Sequence, residues 1–175
     1  IVANHNSHLD TLTLMALYPL AKLRRVRPVA AMDYFLTRRF MRWIACDLIG
    51  IIPVHRQRGA KDGGNPLEGA LAALDQGDIL ILFPEGSRGA PEEMTAFKKG
   101  IAHLAAARPE VPVVPVFLHG LGKALPKGTI TFVPFNCDVF VGEPLPLADS
   151  IDGFMDNLQD AMGELASVGQ FPVWD

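Results

Sequence analysis

Ile79-Leu80-Ile81-Leu82-Phe83-Pro84-Glu85-Gly86-Ser87-Arg88 reads as a strand that ends in a turn. Five apolar residues in succession suit a strand with both faces covered, as in a parallel sheet. Gly77-Asp78, just before, closes a helix opened by Asn65-Pro66 and running to Leu74, with Pro66 suited to a first helical turn. The same alternation extends outward. Upstream, Ile1-Val2-Ala3 ends a strand, Leu12 to Leu20 predicts a helix, Arg27 to Met32 a strand, Phe35 to Leu48 a helix and Ile51 to Val54 a short strand. Downstream come a helix from Lys98 to Ala107, a strand from Val111 to Leu118, a strand pair at Thr129 to Phe135 and Cys137 to Val141, and an amphipathic helix from Ile151 to Ala166. This order predicts an α/β layered domain: a mixed, largely parallel central sheet flanked by helices. Val111-Pro112-Val113-Val114-Pro115-Val116 carries two prolines, each without a ladder donor, which places that strand at an edge or bends it.

The chain has 175 residues, the size of one domain with a full core, and 49% of them are hydrophobic, which excludes a disordered chain. A net charge of −3 leaves no nucleic-acid footprint. The charge is unevenly spread. Lys22, Arg24, Arg25, Arg27, Arg38, Arg39 and Arg42 face a single acid, Asp33, whereas no Lys or Arg follows Lys127. The basic region suits an anionic surface, and the Phe35 to Ile49 segment, with Trp43 among its arginines, suits either a membrane interface or ordinary packing on the sheet. Cys46 and Cys137 are too few for a disulfide framework or a zinc site, and fit a reducing compartment. No apolar run approaches the ~20 residues that cross a bilayer. The chain opens within a strand and without Met, so residues 1–175 are expected to be a single domain whose N-terminal membrane-associated segment is missing.

Chemistry concentrates first in Asn4-His5-Asn6-Ser7-His8-Leu9-Asp10. An imidazole accepts a proton near neutral pH, and a carboxylate can hold its other nitrogen in the right tautomer. Five residues on a regular helix is about 140° of rotation, so His5 and Asp10 meet only across a strand-to-helix turn, where Asn4, Asn6 and Ser7 are good N-caps. Simple helix capping explains the same residues. The second concentration is Pro84-Glu85-Gly86-Ser87-Arg88-Gly89, at the carboxyl end of a strand, where α/β sheets gather ligands. Arg88 offers a planar fork for phosphate or carboxylate; Gly86 and Gly89 allow close backbone approach, and Glu85 can position a hydroxyl or pin Arg88. Val54-His55-Arg56-Gln57-Arg58 adds cations at a similar place, with Arg56 the natural second phosphate contact; a solvated strand end is the plainer account. Glu85 stands where a Gly-x-Ser-x-Gly elbow needs glycine, and no Walker loop or Gly-x-Gly-x-x-Gly is present. His5 and His8 stand three apart, but no third metal ligand suggests itself.

Taken in order, these blocks resemble the glycerolipid acyltransferases, the glycerol-3-phosphate and 1-acylglycerol-3-phosphate acyltransferase family. His5 to Asp10 is similar to that family's His-x4-Asp block. Gly50-Ile51-Ile52-Pro53-Val54-His55-Arg56 is similar to its second, except that His55 stands where Asp is common. Phe83 to Arg88 is similar to its Phe-Pro-Glu-Gly-Thr/Ser-Arg block, Phe97-Lys98-Lys99-Gly100 to the run after it, and Val111 to Val116 to its proline-bearing block.

The resemblance implies acyl transfer from acyl-CoA or acyl carrier protein, as co-substrates with no cofactor and no metal, to a lysophospholipid or glycerol phosphate. In that reading His5 is the base, Asp10 orients it, and Arg56, Glu85, Gly86, Ser87 and Arg88 bind the acceptor. It also implies a peripheral or anchored place at the cytoplasmic face of a membrane. The competing readings are a thioesterase or lipid hydrolase using the same His-Asp base, a transacylase drawing on phospholipid, and a non-catalytic lipid-binding module.

Overall fold

The computed structural model describes residues 1–31, 50–54, 65–89, 93–125 and 133–169. In chain order these form β1 (Val2–Ala3), α1 (Leu9–Ala16), a 3-10 segment (Leu20–Arg25), β2 (Val26–Ala31), β3 (Ile52–Val54), α2 (Glu68–Asp75), β4 (Ile79–Ile81), α3 (Gly100–Ala107), β5 (Pro115–His119), a single turn α4 (Leu121–Ala124), β6 (Asp138–Val141) and α5 (Ile151–Val168).

β2 pairs in parallel with β3 on one side and β4 on the other, and β1 pairs in parallel with β5. The two groups join where Val2 bridges Leu82: Ala3 N–H donates to Leu82 O at 3.0 Å and Leu82 N–H to Ile1 O at 2.9 Å. β6 runs antiparallel to β5. The spatial order is therefore β3-β2-β4-β1-β5-β6, a mixed and largely parallel sheet with helices on both faces.

Neighbouring residues of a strand point to opposite faces, and β1 and β4 are apolar throughout because both of their faces are covered. Val2 packs with Ile101, Phe154 and Leu158 under α3 and α5, while Ala3 packs with Leu14 and Val26 under α1. In β5, Phe117 joins the first cluster, and Val116 and Leu118 join the second. In β4, Ile81 faces α1, whereas Leu80 packs with Ala70, Ala73 and Leu104 of α2 and α3. Each fully buried side chain of this size contributes about 1.5–3 kcal/mol.

α5 presents Phe154, Leu158 and Met162 to the core at four-residue spacing, and Ser150 Oγ caps it by accepting from Gly153 N–H at 3.0 Å.

Several expectations change. The proline-bearing strand is not at an edge: β5 begins at Pro115, is buried throughout and sits between β1 and β6. Pro112 precedes the ladder and Pro115 occupies its first residue, where a missing donor is tolerated. The helix expected from Leu12 to Leu20 instead spans Leu9–Ala16, and Pro19 precedes a separate 3-10 segment. Residues 133–137 carry no strand; the rest of that expected strand, and the Phe35 to Leu48 helix with Trp43, lie outside the described residues. Among the described residues no helix is long and apolar enough to cross a membrane.

Candidate active site

β1 ends at a side chain that imitates a strand. Asn4 Oδ1 accepts from Leu118 N–H at 2.7 Å and its Nδ2 donates to Leu118 O at 2.9 Å, extending the pairing with β5 one residue further. Asn4 Nδ2 also donates to Asn6 Oδ1 at 2.8 Å, so Asn4, read as an N-cap, is buried in the sheet. The chain then turns sharply, and Asp10 in the first turn of α1 gathers the turn around itself. Its Oδ2 accepts from Asn6 N–H at 2.7 Å, Ser7 N–H at 2.8 Å and His5 Nδ1 at 2.9 Å.

Asp10 is 1% exposed, while the His5 side chain keeps 19%, so the acid is sealed and the imidazole is not. A carboxylate only accepts; Nδ1 therefore carries a proton, and in the neutral ring the lone pair is on Nε2. The ring stacks on Phe83, with centroids 4.1 Å apart and planes at 18°.

The loop after β4 holds the same histidine by its backbone. Glu85, 4% exposed, accepts from His5 N–H through Oε1 at 2.9 Å. Its Oε2 takes Thr95 Oγ1–H at 2.8 Å and Thr95 N–H at 3.3 Å. Gly89 N–H donates to His5 O at 2.9 Å. Glu85, expected beside the acceptor, thus faces inward, because a buried carboxylate needs donors and the protein supplies them. Gly86 turns the loop at φ +72, and the Lys98 side chain lies in the space a Cβ would fill.

Arg88 and Ser87 line the same cleft as His5; Arg56 lies outside the described residues. His8, weighed in the sequence only as a metal ligand, meets Arg88: its Nε2 contacts the guanidinium Nη1. Burial, then the nearby Arg88 and His5, hold His8 below the ordinary imidazole value, with Asp10 opposing. The pairing joins residues 80 apart, so no local spacing signals it.

The cleft has a volume of about 410 Å³. Its lining includes the polar His5, His8, Ser87, Arg88 and Lys98 and the apolar Val29, Val54, Leu67, Leu82 and Ile101. The cleft thus offers charged donors and apolar surface together, as ligand sites do. A second hollow of about 270 Å³, lined by Leu74, Ile79, Leu104 and Val113, includes neither His5 nor Arg88. Among the described residues, no group of three or more His, Cys, Asp or Glu is placed to hold a metal ion.

Residues 1–119 match the family model described as Acyltransferase. This chain belongs to the acyltransferase family. Among its relatives is the human 1-acyl-sn-glycerol-3-phosphate acyltransferase alpha, 30% identical over 171 residues, covering 93% of this chain and 56% of the relative. The chloroplastic 1-acyl-sn-glycerol-3-phosphate acyltransferase LPAT1 of Arabidopsis thaliana is 32% identical over 128 residues, covering 73% of this chain and 33% of that protein. The acyltransferase chain described here thus spans about half the length of the curated relatives it matches over most of its own. The crystal structure of the 1-acyl-sn-glycerophosphate acyltransferase PlsC from Thermotoga maritima shares the fold, with a TM-score of 0.75 at 21% identity, covering 99% of this chain and 67% of that one.

Proposed function

We propose that residues 1–175 are a single acyltransferase domain. It moves a fatty acyl group from acyl-CoA or acyl carrier protein to the hydroxyl of a lysophospholipid such as 1-acylglycerol 3-phosphate, in phospholipid synthesis. The observation that carries this reading is the 2.9 Å contact between His5 Nδ1 and Asp10 Oδ2, with His5 lining a largely apolar cleft.

His5 Nε2 takes the proton of the acceptor hydroxyl as its oxygen attacks the thioester carbonyl. The tetrahedral adduct expels the thiolate, which recovers that proton from the imidazolium. Asp10 stays ionised throughout and stabilises the transient cation, as the acid of a serine triad does. The substrate brings its own nucleophile, which agrees with the missing nucleophile elbow.

Arg88 takes the acceptor phosphate, with Arg56 as a second cation and Ser87 and Gly86 beside it. Glu85 acts through His5, as a positioning residue. The apolar walls receive the acyl chain. No cofactor enters the scheme.

Membrane contact is part of the reading. Leu20 is 86% exposed and Leu17 51%, beside exposed Lys22, Arg24 and Arg25, a pairing of apolar and basic groups that suits an anionic bilayer surface.

The deciding experiment incubates the full-length protein with labelled acyl-CoA, acyl carrier protein and phospholipid donors against a panel of lysolipids and glycerol 3-phosphate, with products identified by mass spectrometry. Acylated 1-acylglycerol 3-phosphate is the expected product. Free fatty acid released at the same rate with and without acceptor establishes a hydrolase instead.

A further inference from the structure

We propose that His8 is a second, proton-linked ligand of the acceptor phosphate, so that the His8–Arg88 pair selects phosphomonoester headgroups over phosphodiesters. This deepens the acyl-transfer reading and rests on Arg88 as the phosphate anchor. His8 is exposed at the start of α1 and lines the cleft that also holds His5 and Arg88. A guanidinium only donates, so its contact with Nε2 requires that nitrogen unprotonated, with the ring proton on Nδ1.

The groups around His8 keep it so. Burial disfavours the imidazolium most, then the charges of Arg88 and His5; among the described residues Asp10 opposes them, while Lys98 is a further cation on the same cleft. Without acceptor, the pair carries one positive charge instead of two.

A phosphate dianion entering between the two side chains reverses this balance. It accepts from the guanidinium, frees Nε2 and favours a proton there, giving two cationic donors on one headgroup. A phosphomonoester carries about −1.5 to −2 charge near neutral pH, enough to engage both. A phosphodiester has a single negative charge, which Arg88 alone satisfies.

Binding of the monoester therefore takes up a proton over the window between His8's lowered value in the free protein and its raised value in the complex. Across that window affinity falls as pH rises, by up to about tenfold per unit.

Calorimetric titration of the full-length protein with a short-chain 1-acylglycerol 3-phosphate, in buffers of different ionisation enthalpy near about pH 7.5, counts that proton. Wild type is expected to take up close to one. His8→Gln, whose amide oxygen keeps an acceptor for Arg88 but does not titrate, is expected to take up none. In turnover, H8Q raises KM for the monoester several-fold, changes kcat far less, and flattens the pH dependence of KM; KM for a lysophosphatidylcholine of the same chain length stays put. Monoester binding by wild type without proton uptake, or uptake undiminished in H8Q, overturns the proposal, the second outcome moving the proton to His5. If no phosphorylated acceptor is acylated at all, the acyl-transfer reading fails, and this one with it, whatever the proton count.

Discussion

Asp10 spends one oxygen on two backbone N–H groups and an imidazole, while its other oxygen is buried with no hydrogen-bond partner among the described residues. The anion is therefore concentrated on the side that faces His5. General-base catalysis is worth roughly 10²–10⁴-fold, so His5→Ala is expected to lose about that much in kcat. Its melting temperature should stay near wild type, because the partly exposed ring fills no core position; a thermal melt and an initial-rate assay check both. Glu85 behaves differently because it is buried. Glu85→Ala leaves His5 N–H and Thr95 without their acceptor, costing about 1–3 kcal/mol, or about 2–4 °C of melting temperature per kcal/mol in a domain of this size. Glu85→Gln keeps one acceptor and should recover part of both stability and rate. An E85A protein that melts and turns over like wild type would remove the clamp from the account.

Among the elements, the hinge after β5 is the most constrained. Gly120 has φ +82, and a Cβ there would fall on the carbonyl oxygen of Asn136. Gly120→Ala therefore meets both a strained backbone and a backbone clash, and is expected to destabilise by about 1–3 kcal/mol, read as a lower denaturation midpoint with unchanged slope. Such a contact joins residues far apart in sequence, and that separates what the sequence shows from what it hides. The apolar run at Ile79 to Phe83 exposed the parallel sheet because burial on both faces leaves its mark on every residue. His5 and Asp10 were legible as a pair because five residues limit how they can meet. The prolines misled because their effect depends on ladder position, which only the fold fixes. Glu85's inward turn and His8's meeting with Arg88 were illegible for the same reason: each bridges 80 residues, from the β4 loop to the β1 turn.

At the scale of the whole molecule, charge and apolar exposure fall on the same region. Leu12, Leu17 and Leu20 are exposed beside Lys22, Arg24 and Arg25, while the later part of the chain carries acids and no Lys or Arg after Lys127. Sedimentation with anionic vesicles is expected to exceed that with zwitterionic ones and to weaken as salt is raised, since exposed charges are screened over about 8–10 Å at physiological ionic strength. Leu20→Glu should reduce binding at every salt concentration, because it removes apolar insertion and adds repulsion together. Equal sedimentation with both vesicle types would assign that surface to something other than a bilayer.

The backbone of His5 is gripped from both sides, its N–H by Glu85 and its carbonyl by Gly89, with its ring laid on Phe83 and tied to Asp10. A base anchored in so many directions has little freedom left to surrender. In the proposed acyl transfer, the entropy of reaching the reactive arrangement then falls more on the incoming acceptor and acyl donor than on His5.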